Sequence, residues 1–257
     1  MNETYRPLKA RILSSTMSFV TVSLLISVTV GREEDQPKTV LKTERFDRDP
    51  GWESHNNRIV PKEYPTVTQG FGYSETNFAG KATGEMGGQV WRASEPAYYG
   101  DRIRPKTLDD KLSASGTFAL TSTAPGSGMF FGFFRAEQPG AGGRPIGSLG
   151  MNMDCERSGA RLAVRLITGQ NQSCGIFITP CIPGKVYEWS LVYDPAANDG
   201  KGAITATLDN ESVIHNLKQG QKAKAKDTRL DRFGMFSIGP GGQIVKLYLD
   251  DLQYTAK

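Results

Sequence analysis

Histidine and cysteine are scarce in this chain, at two and three in 257 residues. His55 and His215 stand far apart, and Cys155, Cys174 and Cys181 show no ligand spacing, which argues against zinc. No glycine loop runs into Lys-Ser or Lys-Thr. Pro139-Gly-Ala-Gly-Gly-Arg144 is glycine-rich, but it lies between strand signals with no helix after it, so it is no phosphate cradle. Charge of one sign is not in large excess. The formal net charge is +4, and without a basic stripe there is no case for nucleic acid. Lys222, Lys224 and Lys226 fall in the polar stretch 219–229, which reads as a solvated loop. Runs of helix formers are few, and only 106–112 and 220–228 have room for a helical turn.

A long hydrophobic run occurs once. Residues 12–30 carry no charge and follow Arg6, Lys9 and Arg11, the layout of an export signal. At about 19 residues the run also suffices to span a bilayer if it is kept. The flanking positive charge places the N-terminus inside and the rest outside. Residues 1–31 are therefore expected to be a signal peptide or a membrane anchor helix, and 32–39 a charged linker. The only expected membrane contact is through this segment, and the chain is expected to be exported: extracellular, periplasmic or tethered to the outer face of a membrane. No cysteine follows the run closely, which argues against a lipid anchor.

What is present is alternation. Short apolar-polar strands separated by Gly, Pro and Asn turns fill residues 40–257, the pattern of one all-β domain. Strands are expected near 40–47, 66–73, 85–93, 115–123, 127–135, 148–156, 161–168, 174–179, 186–194, 202–209, 211–216, 232–238 and 243–255. Residues 127–134, with Met129, Phe130, Phe131, Phe133 and Phe134, are apolar on both faces and predict a central strand. Ser158-Gly159 reads as a two-residue turn. That register sets Arg157 against Ala160, Glu156 against Arg161, Asp154 against Ala163 and Asn152 against Arg165. Met151, Met153, Cys155, Leu162, Val164 and Leu166 then share a core face, and the opposite face is wet. An oxidising compartment permits one disulfide. The strand layout ranks Cys155–Cys181 first of three pairs, provided the chain curls at Pro180 to bring the Cα atoms within about 7 Å.

The opening of the domain, Glu44-Arg-Phe-Asp-Arg-Asp-Pro-Gly-Trp52, is answered by its last strand, Lys246-Leu-Tyr-Leu-Asp-Asp-Leu-Gln-Tyr254. In this pairing of ends the chain resembles the concanavalin A-like lectin/glucanase superfamily, the laminin-G-like jelly rolls. The resemblance implies a two-sheet antiparallel β-sandwich that binds or cuts glycans. It also implies a structural calcium where the first and last strands meet, near Glu44, Asp47 and Asp250. Hydrophobic parity changes at Asp250-Asp251, which predicts a bulge.

Glu85-Met-Gly-Gly-Gln-Val-Trp91 puts Glu85, Gly87, Gln89 and Trp91 on one face, and in the superfamily such a strand often lines the concave side. Many glucanases of this fold carry Glu-x-Asp-x-Glu on one strand, spaced for retaining hydrolysis. Here Glu85 lacks both later acids, and Asn152-x-Asp154-x-Glu156 begins with an amide, so the triplet is broken in both places. The candidate catalytic groups are Glu85, Arg92 and Tyr98. The candidate sugar contacts are His55, Asn57, Arg58, Gln69, Glu85, Arg92, Asn152 and Arg165, since amides and Arg satisfy hydroxyls beside apolar platforms. The bland reading of Glu85 is a carboxylate paired for structure, and that of 152–165 is a salt-bridged hairpin. The leading expectation is an exported protein that binds a poly- or oligosaccharide. A glycoside hydrolase or polysaccharide lyase is the alternative, and a structural cell-envelope protein the second alternative.

Overall fold

A computed structural model describes residues 40–55, 57–58, 68–93, 95–136, 146–168, 171–225, 228–239 and 243–257. The expected export segment, the linker, Asn56 and the glycine-rich run at 139–144 lie outside them.

The fold is an antiparallel two-sheet sandwich. One sheet runs, in spatial order, β13 (Glu211–Asn216), β12 (Ala203–Leu208), β11 (Val186–Asp194), β6 (Leu112–Thr123), β15 (Ile244–Thr255), β4 (Glu85–Trp91) and β3 (Gly70–Ser74), with β1 (Leu41–Glu44) paired to β15. The other runs β10 (Asn171–Ile176), β9 (Gly159–Thr168), β8 (Ser148–Glu156), β7 (Gly128–Phe134), β14 (Leu230–Ser237), β5 (Tyr98–Lys106) and β2 (Glu53–His55). One short helix, α1 (Gln221–Lys224), falls in the second expected helical stretch. The first, near 106–112, is a turn instead, because Asp110 accepts hydrogen bonds from Thr107 N and Thr107 Oγ1.

The first and last strands of the sandwich meet as expected. β1 pairs with the C-terminal half of β15, Leu41 opposite Thr255 and Glu44 opposite Leu252. The predicted bulge is real: the β15–β6 register shifts between Asp250 and Gln253, and Asp251 adopts a positive φ of 51°. Trp52 is buried against Phe46, Tyr99 and Tyr254, with ring centroids 5.2 to 6.0 Å away, so the opening segment is part of the core. Between the sheets, Phe131 meets Phe118 and Trp189. All of β7 is buried, as its two-faced apolarity requires.

Three readings of the sequence are corrected. β5 and β2 were not expected as strands. Pro105 and the charges Asp101, Arg102, Arg104 and Lys106 resemble a loop, yet β5 pairs with both β14 and β2. In the β8–β9 hairpin, Arg157-Ser158 is the turn and Gly159, at φ +123°, opens β9. Asp154 therefore opposes Arg161, Asn152 opposes Ala163 and Gly150 opposes Arg165. The slip is two residues, so the core face survives: Met151, Met153, Cys155, Leu162, Val164 and Leu166 are all buried. The opposite face is not uniformly wet, because Asn152 is fully buried. Finally, all three cysteines are free thiols. Cys155 and Cys181 each pair with Ala160, from opposite sides. One strand therefore separates them, and the chain does not curl enough to close the gap.

Candidate functional site

The registers place polar side chains at both ends of the outer face of the β10–β2 sheet. One transverse row reads His55, Tyr98, Phe236, Phe130, Asn152, Ala163. The row beside it reads Glu53, Gly100, Gly234, Gly132, Gly150, Arg165. Strands lie about 4.8 Å apart, so the four steps from His55 to Asn152 span about 19 Å.

At the β2 end, His55 stacks on Tyr98 with centroids 5.4 Å apart and planes 13° apart. Arg232, buried on β14, donates from Nε to Glu53 and from Nη1 to the Asp231 carbonyl. Burial pushes the Tyr98 phenol above its usual pKa and the Glu53 charge adds to this, while the nearby Arg232 guanidinium pulls the other way. The phenol is thus protonated at neutral pH and suits hydrogen-bond donation rather than proton abstraction. Burial alone would weaken the Arg232 charge, but the Glu53 hydrogen bond and the Asp231 charge hold it on.

At the β8 end, Asn152 Nδ2 donates to Asp154 Oδ2 at 2.7 Å, and Arg165 Nη2 lies 3.4 Å from the same oxygen. The two candidates Asn152 and Arg165 are brought together here, with Asp154 between them. Burying Asn152 requires such a partner, since an unmade hydrogen bond there costs about 1–3 kcal/mol.

The middle of the face is apolar and filled. A Cβ on Gly150 would lie 2.6 Å from the Phe130 ring, and one on Gly100 would lie 3.2 Å from the Phe134 ring. The glycine row thus lets rings lie down across it. Phe130, Phe134, Phe236 and Tyr98 form one buried cluster with Ile238.

The other expected site residues do not join this face. Glu85, expected among the catalytic and sugar-contact residues, lies on β4 of the other sheet. It is fully buried and accepts from Thr76 Oγ1, Phe78 N and Ala79 N, so both oxygens clamp the 76–79 loop and none faces a substrate. Gln69 extends the ladder at the sheet edge, donating to Trp91 O and accepting from Trp91 N, each at 3.0 Å. Asn57 Nδ2 donates to Phe71 O while the Asn57 backbone carbonyl accepts from Phe71 N, and Arg58 donates to Tyr73 O. Arg92 donates to Gly126 O, away from Tyr98. Of the expected calcium ligands, Asp250 feels the charge of Asp47. Glu44 turns back to accept from Arg45 N and Phe46 N, and among the described residues no three His, Cys, Asp or Glu side chains converge on a point.

Sequence reasoning missed Glu53 and Arg232. Arg232, Gly234 and Phe236 alternate along β14, so their common face was readable. That β14 lies between β7 and β5, and so under Tyr98, is a long-range pairing that no local pattern carries.

No protein-family model matches the chain, and no curated protein matches it. Solved structures do show likeness. An endo-β-1,4-glucuronan lyase from the fungus Trichoderma reesei aligns at TM-score 0.48 and 13% identity, over 86% of this chain and 96% of that one. The alginate lyase PA1167 from Pseudomonas aeruginosa aligns at 0.48 and 10%, over 80% and 98%. Peanut lectin aligns at 0.43 and 15%, over 86% and 98%. The two-sheet architecture of this chain stands on its own strand order.

Proposed function

We propose that this chain is an exported carbohydrate-binding sandwich that takes an oligosaccharide across the outer face of the β10–β2 sheet. The observation that carries the reading is the pair of polar clusters, Glu53–Arg232–Tyr98–His55 and Asn152–Asp154–Arg165, on one face about 19 Å apart. That span suits several linked sugar rings rather than one. Hydroxyls of a sugar want both donors and acceptors, and each cluster supplies an amide or phenol beside a carboxylate and a guanidinium. Sequence supports export, through the basic start and uncharged run of residues 1–31. Glycan-array and affinity-gel retention test the reading. Wild type is expected to bind a polysaccharide, and Arg165→Gln and Tyr98→Phe are each expected to weaken it. Retention unchanged in both variants contradicts the assigned face, and no retention on any glycan favours a structural envelope role.

Cleavage is the second reading, favoured by one observation: Tyr98 sits in contact with both Arg232 and His55, so that the guanidinium would neutralise a uronate carboxylate, the imidazole would take the proton α to it, and the phenol would give a proton to the leaving oxygen. Its test is the ultraviolet absorbance of a new C=C bond on uronic-acid polymers. Absorbance growing with wild type and abolished in Tyr98→Phe supports it; a flat trace with bound polymer leaves binding alone.

A further inference from the structure

The sheet facing the other way carries a second feature that the reading above does not use. On its outer side Gly70, Gln89 and Lys246 form one row, and Gly72, Gly87 and Tyr248 the next. A hollow of about 230 Å³ lies between β3, β4 and β15. Arg58 and Lys246 both line it, with Gln89, Ser74 and Tyr248, and among the described residues no Asp or Glu does. Glu85 stands on the same face, but it is fully buried and committed to its loop.

Unbalanced charge sets this hollow apart. The depression beside α1 holds Lys201, Lys218 and Lys222, but Asp199 pairs with Lys201 and Asp109 with Lys222. The depression along residues 42–50 mixes Lys42, Arg45 and Arg48 with Glu44, Asp47 and Asp49. Lys246 forms no ion pair with the described residues, and Arg58 spends one N–H on the Tyr73 carbonyl. An anion placed in the hollow would meet positive charge from both Arg58 and Lys246. The guanidinium fork and the ammonium match a carboxylate or sulfate, while Gln89 and the Tyr248 ring add an amide and an aromatic wall.

We propose that this hollow is a separate subsite for one anionic sugar unit, a pyranose carrying a carboxylate or sulfate. The site is independent of the oligosaccharide face, and its residues are different.

The test is isothermal titration of the full chain with D-glucuronate, D-glucose and inorganic sulfate in turn. Glucuronate is expected to bind wild type, with glucose and sulfate both weaker. Lys246→Gln and Arg58→Gln are each expected to weaken glucuronate about tenfold, the scale of one charge-assisted contact. Lys246→Arg is expected to keep it, which separates loss of charge from loss of fold. Arg165→Gln and Tyr98→Phe are expected to leave it unchanged. Glucuronate binding that survives Lys246→Gln and Arg58→Gln, or that is lost with Arg165→Gln, overturns the assignment. Sulfate or glucose binding as tightly as glucuronate overturns it as well.

Discussion

Glu85 and Asp250 are buried carboxylates that feel each other's charge, yet the fold treats them differently. Glu85 collects loop N–H donors. Asp250 accepts only from Asp251 N among the hydrogen bonds described, and its second oxygen packs on Gly80. Burial pushes its pKa from 3.8 to about 7, with the Asp251, Glu85 and Asp47 charges adding and the Asp251 N–H opposing. The folded state therefore holds the proton more tightly than the unfolded chain. Asp250's own contribution to stability is greatest below about pH 4, declines as pH rises toward 7, and is level above that. The span corresponds to about 4 kcal/mol at about 1.4 kcal/mol per pH unit. Asp250→Asn is expected to stabilise the protein at pH 8 by a few kcal/mol and to match wild type at pH 4, as read by urea unfolding at both values. An equal offset at both pH values contradicts this account. Glu85→Gln is expected to cost about 2–4 kcal/mol at pH 7, because its amide meets an N–H donor with another donor; an unchanged urea midpoint contradicts the clamp.

At the scale of elements, strands with clean alternation were legible. β8, β9, β11 and β15 declared their buried faces through period-2 patterning, and β7 declared its central place by being apolar on both sides. β5 was hidden because its outward Arg102 and Arg104 and its Pro105 mimic a loop. The hairpin slip was hidden because both Ser158-Gly159 and Arg157-Ser158 make turns, and only the packing of the flanking strands selects one. Hairpin register preserved the core face in either case, since a shift of two keeps side-chain parity. The candidate site was half legible. Asn152 and Arg165 were expected and do meet; Arg232 and Glu53 come from strands distant in sequence. The same logic makes the glycine row testable. A Cβ on Gly234 would fall 2.2 Å from the Tyr99 carbonyl oxygen. Gly234→Ala is expected to cost at least about 3 kcal/mol by spreading β14 from β5. A Tm within a degree or two of wild type contradicts so tight an approach.

For the whole molecule, closure depends on β15, which binds β6 along one side and β4 then β1 along the other. The first and last strands of the described sandwich, β1 and β15, are held together by backbone pairing. Cys181 is pushed up to about 12 by burial, and Cys155 is raised by burial as well, so both are poor thiolates. Alkylation in urea without reductant is expected to label all three cysteines; a protein two mass units lighter with one reactive thiol contradicts the separation of Cys155 from Cys181 by Ala160. The functional claim also belongs to this scale, because both polar clusters of the proposed face exist only once six strands are side by side. Titration of a bound oligosaccharide series of increasing length into the intact protein tests that claim most directly. Affinity is expected to rise with length until the chain reaches both clusters and then level off, and Arg165→Gln is expected to remove the gain from the longer members while sparing the shortest. Affinity independent of length, with Arg165→Gln and Tyr98→Phe indistinguishable from wild type, contradicts it.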